Sequence, residues 1–124
     1  MNLIFFDLDG TLLNSASEIS PFTKETLVLL DEKNIAYTVA TGRTMLSAKS
    51  ILKGHDFILP QVYNNGVTIW DPKSQELTLE HLLGSQEIST VINLAISQGI
   101  TPFVHAIDDQ HYFIYHSAPS HKVE

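Results

Sequence analysis

The chain contains no cysteine, which excludes disulfides and thiolate metal sites and fits a reducing compartment. Basic residues are scarce: 7 Lys and Arg face 14 Asp and Glu, for a net charge of −7. Nucleic acid and anionic membrane both reward clustered Lys and Arg, so neither is expected as a partner. The same balance opposes any anionic ligand unless a divalent cation or a local donor such as Arg43 reverses the field. No apolar run approaches the ~18 residues of a membrane span. Met1 leads straight into an apolar segment with no basic stretch and no small-residue cleavage site, so a cytoplasmic location is the expectation.

What is present is an ordinary globular composition, 44% apolar and 9% aromatic, over 124 residues. Such a chain buries about two thirds of its unfolded surface, enough for one modest core. Its most informative stretch is Leu3-Ile4-Phe5-Phe6-Asp7-Leu8-Asp9-Gly10-Thr11. Four consecutive apolar residues predict a strand buried on both faces, as in a central parallel strand, with Asp7 and Asp9 at its carboxyl end. In open α/β sheets that end is where ligands bind. Side chains at i and i+2 of an extended segment point the same way, so both carboxylates face one pocket unless the turn rotates the second. Gly10 permits a left-handed turn, and Thr11 offers a hydroxyl to tie it down.

Two close carboxylates repel, which raises the pKa of one and leaves the other ionised, separating a proton carrier from a nucleophile or metal ligand. A Mg²⁺ ion would relieve the repulsion and bring a phosphate within reach. The alternative is a surface turn after a strand. Four specified residues, each at a background near ~6%, coincide by chance in about one in a thousand chains of this length, which favours the chemical reading.

Further along, Ser20 and Pro21 open a helix over 21–33 whose spacing predicts a buried face of Phe22, Thr26, Leu29, Leu30 and Lys33. Residues 35–40 read as a second buried strand ending at Thr41-Gly42-Arg43, followed by a helix over 44–53 that stops at Gly54. A hydroxyl, a glycine and a helix start form a reasonable oxyanion cradle from Thr41 and Gly42, although Thr41 could equally be a helix cap. Arg43 can pair with a phosphate, with Asp9 or with a surface acid. Short apolar runs at 57–59 and 62–63 lead to Asn64-Asn65-Gly66, where Asn-Gly predicts a type I′ hairpin turn before a strand at 67–70 and an antiparallel one at 77–81. Asn65 is a turn residue or a lining of the pocket. Ser85 is positioned to cap a helix with an apolar face of Ile88, Val91, Ile92, Ala95 and Ile96, ending at Gly99. Two strands, 101–107 and 110–116, then flank a turn at Asp108-Asp109.

The order strand, helix, strand, helix, strand, hairpin over the first 82 residues is half of a doubly wound parallel sheet, an α/β arrangement. Residues 83–124 change to helix plus antiparallel strands, a second and different unit. His105, His111, His116 and His121 crowd the C-terminal quarter, but none has helical i, i+4 spacing or a paired-ligand pattern, and cross-strand packing accounts for His105 and His111.

Asp7-Leu8-Asp9-Gly10-Thr11 after an apolar strand resembles the first motif of the haloacid dehalogenase (HAD) superfamily, on its phosphatase and phosphomutase side. Dehalogenases of that superfamily lack the second Asp, and its ATPases carry Lys and Thr mid-motif. Thr41-Gly42-Arg43 resembles the second motif, and a hairpin such as Asn65-Gly66 precedes the large α+β cap of the Cof-type branch. The resemblance implies a Rossmann-like core over residues 1–82 and the start of a cap over 83–124. It implies a Mg²⁺-dependent phosphomonoester hydrolase acting on a phosphosugar or other small phosphorylated metabolite. Asp7 would attack phosphorus to give an aspartyl-phosphate, and Asp9 would protonate the leaving oxygen and later deprotonate the hydrolytic water. The Asp7 side chain and the Asp9 carbonyl would hold Mg²⁺. Leu8, Thr41, Gly42, Arg43 and Asn65 would contact the substrate or its phosphate.

Two expected parts are missing. The family's third motif is a Lys and its fourth a Gly-Asp, yet the only Lys after Lys73 is Lys122 and no Gly-Asp occurs. A Mg²⁺ ion held by one carboxylate and one carbonyl is under-coordinated, so the chain is expected to be inactive alone. It reads as a fragment, a truncated gene product, or a half completed by another chain. A non-catalytic remnant or assembly module is the alternative function, and a phosphomutase a third. An isolated half leaves its first strand beside an open edge, which predicts a homo-oligomer or strand-exchanged dimer.

Overall fold

The computed structural model describes residues 2–107 and 111–116. The chain divides into two compact units, Met1–Leu82 and Leu83–Glu124. In the first, β1 (Leu3–Phe6) pairs in parallel with β2 (Ala36–Val39), and α1 (Pro21–Glu32) forms the crossover between them. Ser20 caps α1 as expected, its hydroxyl accepting the Thr23 N–H at 3.1 Å, with Pro21 pre-set for the first helical position. After β2 comes α2 (Met45–Leu52), capped by Thr44, whose Oγ1 accepts the Ser47 N–H at 3.2 Å. A single parallel bridge from Ala40 to Val62 links β2 to β3 (Gln61–Tyr63). Antiparallel pairing then continues through β4 (Thr68–Asp71) and β5 (Glu76–Leu79). The α/β architecture with a parallel pair therefore follows the sequence reading.

The β3–β4 connection keeps the expected turn inside a wider loop. Asn65 (φ 54°, ψ 36°) and Gly66 (φ 96°) supply the two positive φ angles of a type I′ turn, closed by Val67 N–H donating to the Asn64 carbonyl at 3.3 Å. The ladder resumes only at Tyr63–Thr68, so Asn64, also left-handed at φ 51°, belongs to the loop.

The core of this unit gathers Leu8, Leu12, Leu27, Val39, Ala48 and Tyr63 among its buried residues. Its polar members are satisfied. Tyr37 donates to Asp31 Oδ2 at 2.9 Å, and burial together with that carboxylate pushes the phenol up to about 12. Tyr63, pushed up to about 12 by burial, donates to Gln61 Oε1, whose own amide donates to the Phe57 carbonyl at 2.9 Å. Thr38 donates to the Pro60 carbonyl at 2.7 Å, tying the segment before β3 to β2.

Two expectations are corrected. β1 is not buried on both faces: Ile4 and Phe6 pack against the core, whereas Leu3 is 45% and Phe5 55% exposed. Among the described residues β1 has one neighbouring strand, and the core covers only the Ile4/Phe6 side. The buried stripe of α1 is also rotated from the predicted one. Leu27 is buried and Leu30 packs on the core, while Phe22 and Leu29 are exposed. Three- and four-residue spacing fits both stripes, and packing against the core selects the one that ends in Leu27 and Leu30.

In the second unit, α3 (Ser85–Ser97) begins at the residue expected to cap it. Gly84 is the cap position, its N–H donating to Glu87 Oε2 at 2.7 Å, and Ser85 is the first helical residue. β6 (Val104–Ile107) and β7 (Tyr112–Tyr115) form the expected antiparallel pair. The histidines described here pack on aromatic rings: His105 on Tyr112, His111 on Phe113 and His116 on Phe103. Among the described residues no cluster of three metal-ligating side chains occurs, and no helix is long and apolar enough to cross a membrane. The predicted Asp108-Asp109 turn, His121 and Lys122 lie outside the described residues.

Leu8 is fully buried directly between the two acidic residues of interest. Leu8→Ala is expected to destabilise the chain by about 3 kcal/mol through lost apolar transfer and a residual cavity. A urea midpoint shifted by less than about 1 kcal/mol equivalent would show that this turn is not anchored by Leu8.

Candidate active site

The end of β1 and the end of β2 are brought together by their register. Phe6 lies opposite Val39, and the Phe6 carbonyl accepts the Ala40 N–H at 2.9 Å. Asp7 and Thr41 therefore leave the sheet at the same edge. Beyond Asp7 the chain makes a wide turn, with the Asp7 carbonyl accepting from Leu12 N–H at 3.2 Å and the Leu8 carbonyl from Leu13 N–H at 2.9 Å. Gly10, at φ 73°, supplies the left-handed residue this turn needs. The buried Leu8 and Leu12 side chains pin the turn from below and leave Asp7 and Asp9 exposed above it.

The two carboxylates take different partners. Asp7 Oδ1 accepts the Leu8 N–H at 2.7 Å. Asp9 is gripped by Arg43 through two parallel bonds, Nε to Oδ2 and Nη2 to Oδ1, each 2.6 Å. Of the three partners open to Arg43, the structure selects Asp9. The hydrogen-bonded guanidinium holds the Asp9 carboxyl below its ordinary value; burial opposes this, and the charge of Arg43 adds to the lowering. Asp9 is thus not the carboxylate with a raised pKa in this arrangement. Arg43 Nη2 also approaches Ser17 Oγ at 3.5 Å. Ser17 sits in a tight loop organised by Asn14, whose Oδ1 accepts the N–H groups of Ala16 and Glu18 at 2.9 and 3.0 Å. No sequence signal linked Ser17 to Arg43, because the contact spans two separate loops.

Thr41 is buried, and its Oγ1 accepts the Arg43 N–H at 3.2 Å, which leaves the hydroxyl proton available to another group. Three backbone bonds hold this loop to the neighbouring hairpin. Thr41 N–H donates to the Val62 carbonyl at 3.0 Å, Asn65 N–H to the Thr41 carbonyl at 3.2 Å, and Asn64 N–H to the Arg43 carbonyl at 2.9 Å. A Cβ on Gly42 would lie 3.0 Å from Asn65 Oδ1, close enough that the carboxamide lying against it would have to give by a few tenths of an ångström. The sequence-predicted residues Thr41, Gly42, Arg43 and Asn65 are hence neighbours, and Asp9 joins them through Arg43. Leu8 is fully buried, its side chain in the core and its N–H bonded to Asp7 Oδ1.

Asp7 and the Asp9 main chain provide hard oxygen donors of the kind Mg²⁺ takes, and Mg²⁺ ordinarily keeps several waters while binding through one or two carboxylates. The donor set is compatible with that ion without forming a cage, in keeping with the absence of any three-residue acidic or histidine cluster among the described residues.

A family model described as haloacid dehalogenase-like hydrolase matches residues 4–124. The 5-amino-6-(5-phospho-D-ribitylamino)uracil phosphatase YwtE of Bacillus subtilis is 39% identical over 71 residues, 57% of this chain and 24% of that protein. HMP-PP phosphatase of Serratia proteamaculans is 35% identical over 75 residues, 60% of this chain and 27% of that protein. A solved haloacid dehalogenase-like hydrolase from B. subtilis superposes with a TM-score of 0.72 at 26% identity, covering 86% of this chain and 37% of that one. The chain thus spans about a quarter of the curated relatives over these matches, and well under half of the solved structure.

The Asp9–Arg43 pair is solvent-exposed, so its coupling in an Asp9→Asn, Arg43→Gln double-mutant cycle should be below about 1 kcal/mol at neutral pH. Because the folded pKa of Asp9 is depressed, that coupling is complete above its ordinary value of 3.8 and disappears as pH falls through the lower folded value. Urea melts at neutral and strongly acidic pH measure it; a coupling that grows on acidification would overturn the pairing.

Proposed function

Because the chain belongs to the haloacid dehalogenase-like hydrolase family, we propose that it carries the nucleophile half of a phosphomonoester hydrolase. The reading rests chiefly on one observation: Asp7 and Asp9 sit on the turn that ends β1, beside the Thr41–Arg43 loop that ends β2. In this reading residues 1–82 are the N-terminal half of the core and 83–124 the start of a cap.

Asp7 is the nucleophile: a carboxylate oxygen attacks phosphorus, the bond to the leaving oxygen breaks, and an aspartyl-phosphate forms. Its other oxygen keeps the Leu8 N–H bond, which fixes the carboxylate plane. Asp9 gives a proton to the leaving oxygen and later takes one from the attacking water. To be a donor it must first be freed from Arg43, and the incoming phosphoryl group is a competing anion of the right shape for the same bidentate grip. Thr41 donates its free hydroxyl proton to a phosphoryl oxygen, and Gly42, lacking a side chain, lets the backbone approach. Leu8 and Asn65 border the substrate. The Asp7 carboxylate and the Asp9 carbonyl would hold Mg²⁺, which when bound supplies charge neutralisation for the phosphoryl oxygens.

The substrate class is a small phosphorylated metabolite. Support comes from the names of the relatives, one a phosphatase of a phospho-ribitylamino-uracil and one an HMP-PP phosphatase. A phosphomutase shares the nucleophile, and nothing observed favours it. A non-catalytic assembly module is the second reading, favoured by the open edge of β1 and its exposed Leu3 and Phe5. A cytoplasmic location agrees with the absence of cysteine.

Joined to the Lys and Gly-Asp elements its sequence lacks, the chain, with Mg²⁺ and a panel of phosphosugars and phosphorylated metabolites, should release inorganic phosphate, and Asp7→Asn should abolish the release; alone it should release none. Equal release by Asp7→Asn would eliminate the proposed nucleophile. No turnover of any phosphoester by that completed and well-folded protein would favour the assembly reading. Sedimentation should show a dimer or strand-exchanged species formed at the β1 edge, with Phe5→Lys returning it to monomer. A strictly monomeric wild-type chain would sink the oligomer.

A further inference from the structure

The β3–β4 hairpin is more elaborate than a chain reversal needs. Asn64, Asn65 and Gly66 are left-handed in succession, at φ 51°, 54° and 96°, and left-handed conformations in residues other than glycine carry strain that recurs at functional sites. The strain is held by contacts: Asn64 N–H and Asn65 N–H bond to the Arg43 and Thr41 carbonyls, and Asn64 Nδ2 donates to Thr68 Oγ1 at 3.3 Å. The result is that the Asn65 carboxamide lies against Gly42, with Oδ1 3.0 Å and Nδ2 3.6 Å from where a Cβ would be. Among the described residues neither that carboxamide nor the Gly42 N–H has a hydrogen-bond partner.

The Thr41 hydroxyl proton, the Gly42 N–H and the Asn65 amide are thus three donors on two adjoining loops, the last two on solvent-exposed residues, in a chain whose net charge is −7. Neighbouring donors open to solvent suit an acceptor with several oxygens. We infer that Asn65 is a substrate-positioning residue whose Nδ2–H₂ donates to the same phosphoryl group that Thr41 and Gly42 receive, and that Gly42 is glycine to keep the carboxamide seated there. This rests on the phosphoryl-transfer reading above and adds to it the third wall of the anion site and the reason for the hairpin's geometry.

The test uses the isotopically labelled 124-residue chain, with Mg²⁺ present and inorganic phosphate as the probe, followed by NMR. The Asn65 side-chain amide signals and the Gly42 N–H should shift together and saturate at one midpoint. Asn65→Gly keeps the left-handed turn and removes only the carboxamide, so it should weaken phosphate binding roughly tenfold, the effect of one lost bond to a charged acceptor. Asn65→Asp preserves shape but replaces the donor with a charge, and should weaken it further. Gly42→Ala should weaken binding in the wild-type background and have little added effect in Asn65→Gly, because the clash is with the carboxamide. Wild-type affinity in Asn65→Gly, or side-chain amide signals that ignore phosphate while Gly42 responds, would overturn the role of Asn65 and leave the hydrolase reading standing. No response to phosphate anywhere in residues 41–43 would count against both.

Discussion

The parallel register of β1 on β2 is the constraint from which the site follows. With Phe6 opposite Val39 and the Phe6 carbonyl bonded to Ala40, the first residues beyond each strand emerge side by side. A one-residue slip would turn Ile4 and Phe6 out of the core and move Asp7 to the other face. Apolar packing thus indirectly sets where the charges go. Leu8 and Leu12 extend the same logic past the strand, since burying them leaves the residues between them, including Asp9, on the outer side of the turn.

Once these loops are adjacent, electrostatics decides how they are occupied. The chain has few cations, and Arg43 is committed to Asp9 by two 2.6 Å bonds. This ties the β1 turn to the β2 loop and keeps Asp9 ionised, as suits a resting site without an anion. A phosphate would offer Arg43 an equivalent partner and would simultaneously make a protonated Asp9 useful. In the proposed reaction, competition between two anions for one guanidinium would link binding to the availability of the acid. In such an exposed setting the pair contributes little to stability, so its release is not a large barrier.

Much of this was legible in the sequence, and the exceptions have physical causes. Ser20-Pro21 and Asn65-Gly66 act locally, through a cap and a turn whose chemistry involves neighbouring residues only, and each appears where its signal lies, whereas α2 is capped by Thr44 and not by the Thr41 considered for it. The parallel pairing and the adjacency of Asp9 with Arg43 followed from the order of the elements. Which stripe of α1 is buried could not be read, because Phe22/Leu29 and Leu27/Leu30 both satisfy helical spacing and only the neighbouring surface discriminates. The contact of Gly42 with Asn65 was equally hidden. A glycine after a strand usually suggests backbone freedom, whereas here a side chain from another loop takes the space of its Cβ.

The misreading of β1 carries the most information. Four apolar residues in a row announced a strand covered on both faces, and the described residues cover only the Ile4/Phe6 side. A sequence composed for two-sided burial but buried on one side records a surface that the fold expects to be covered. In a parallel pair whose alternate backbone groups bond to β2, those of Leu3 and Phe5 point to the open edge, so the same two residues present an unpaired ladder and an exposed apolar face. The solved relative that superposes on this chain has more than half of its length outside the match. The catalytic carboxylates proposed here stand at the end of that same strand. In the proposed reading, a segment that covered Leu3 and Phe5 would therefore also lie beside Asp7, joining the sheet to the site.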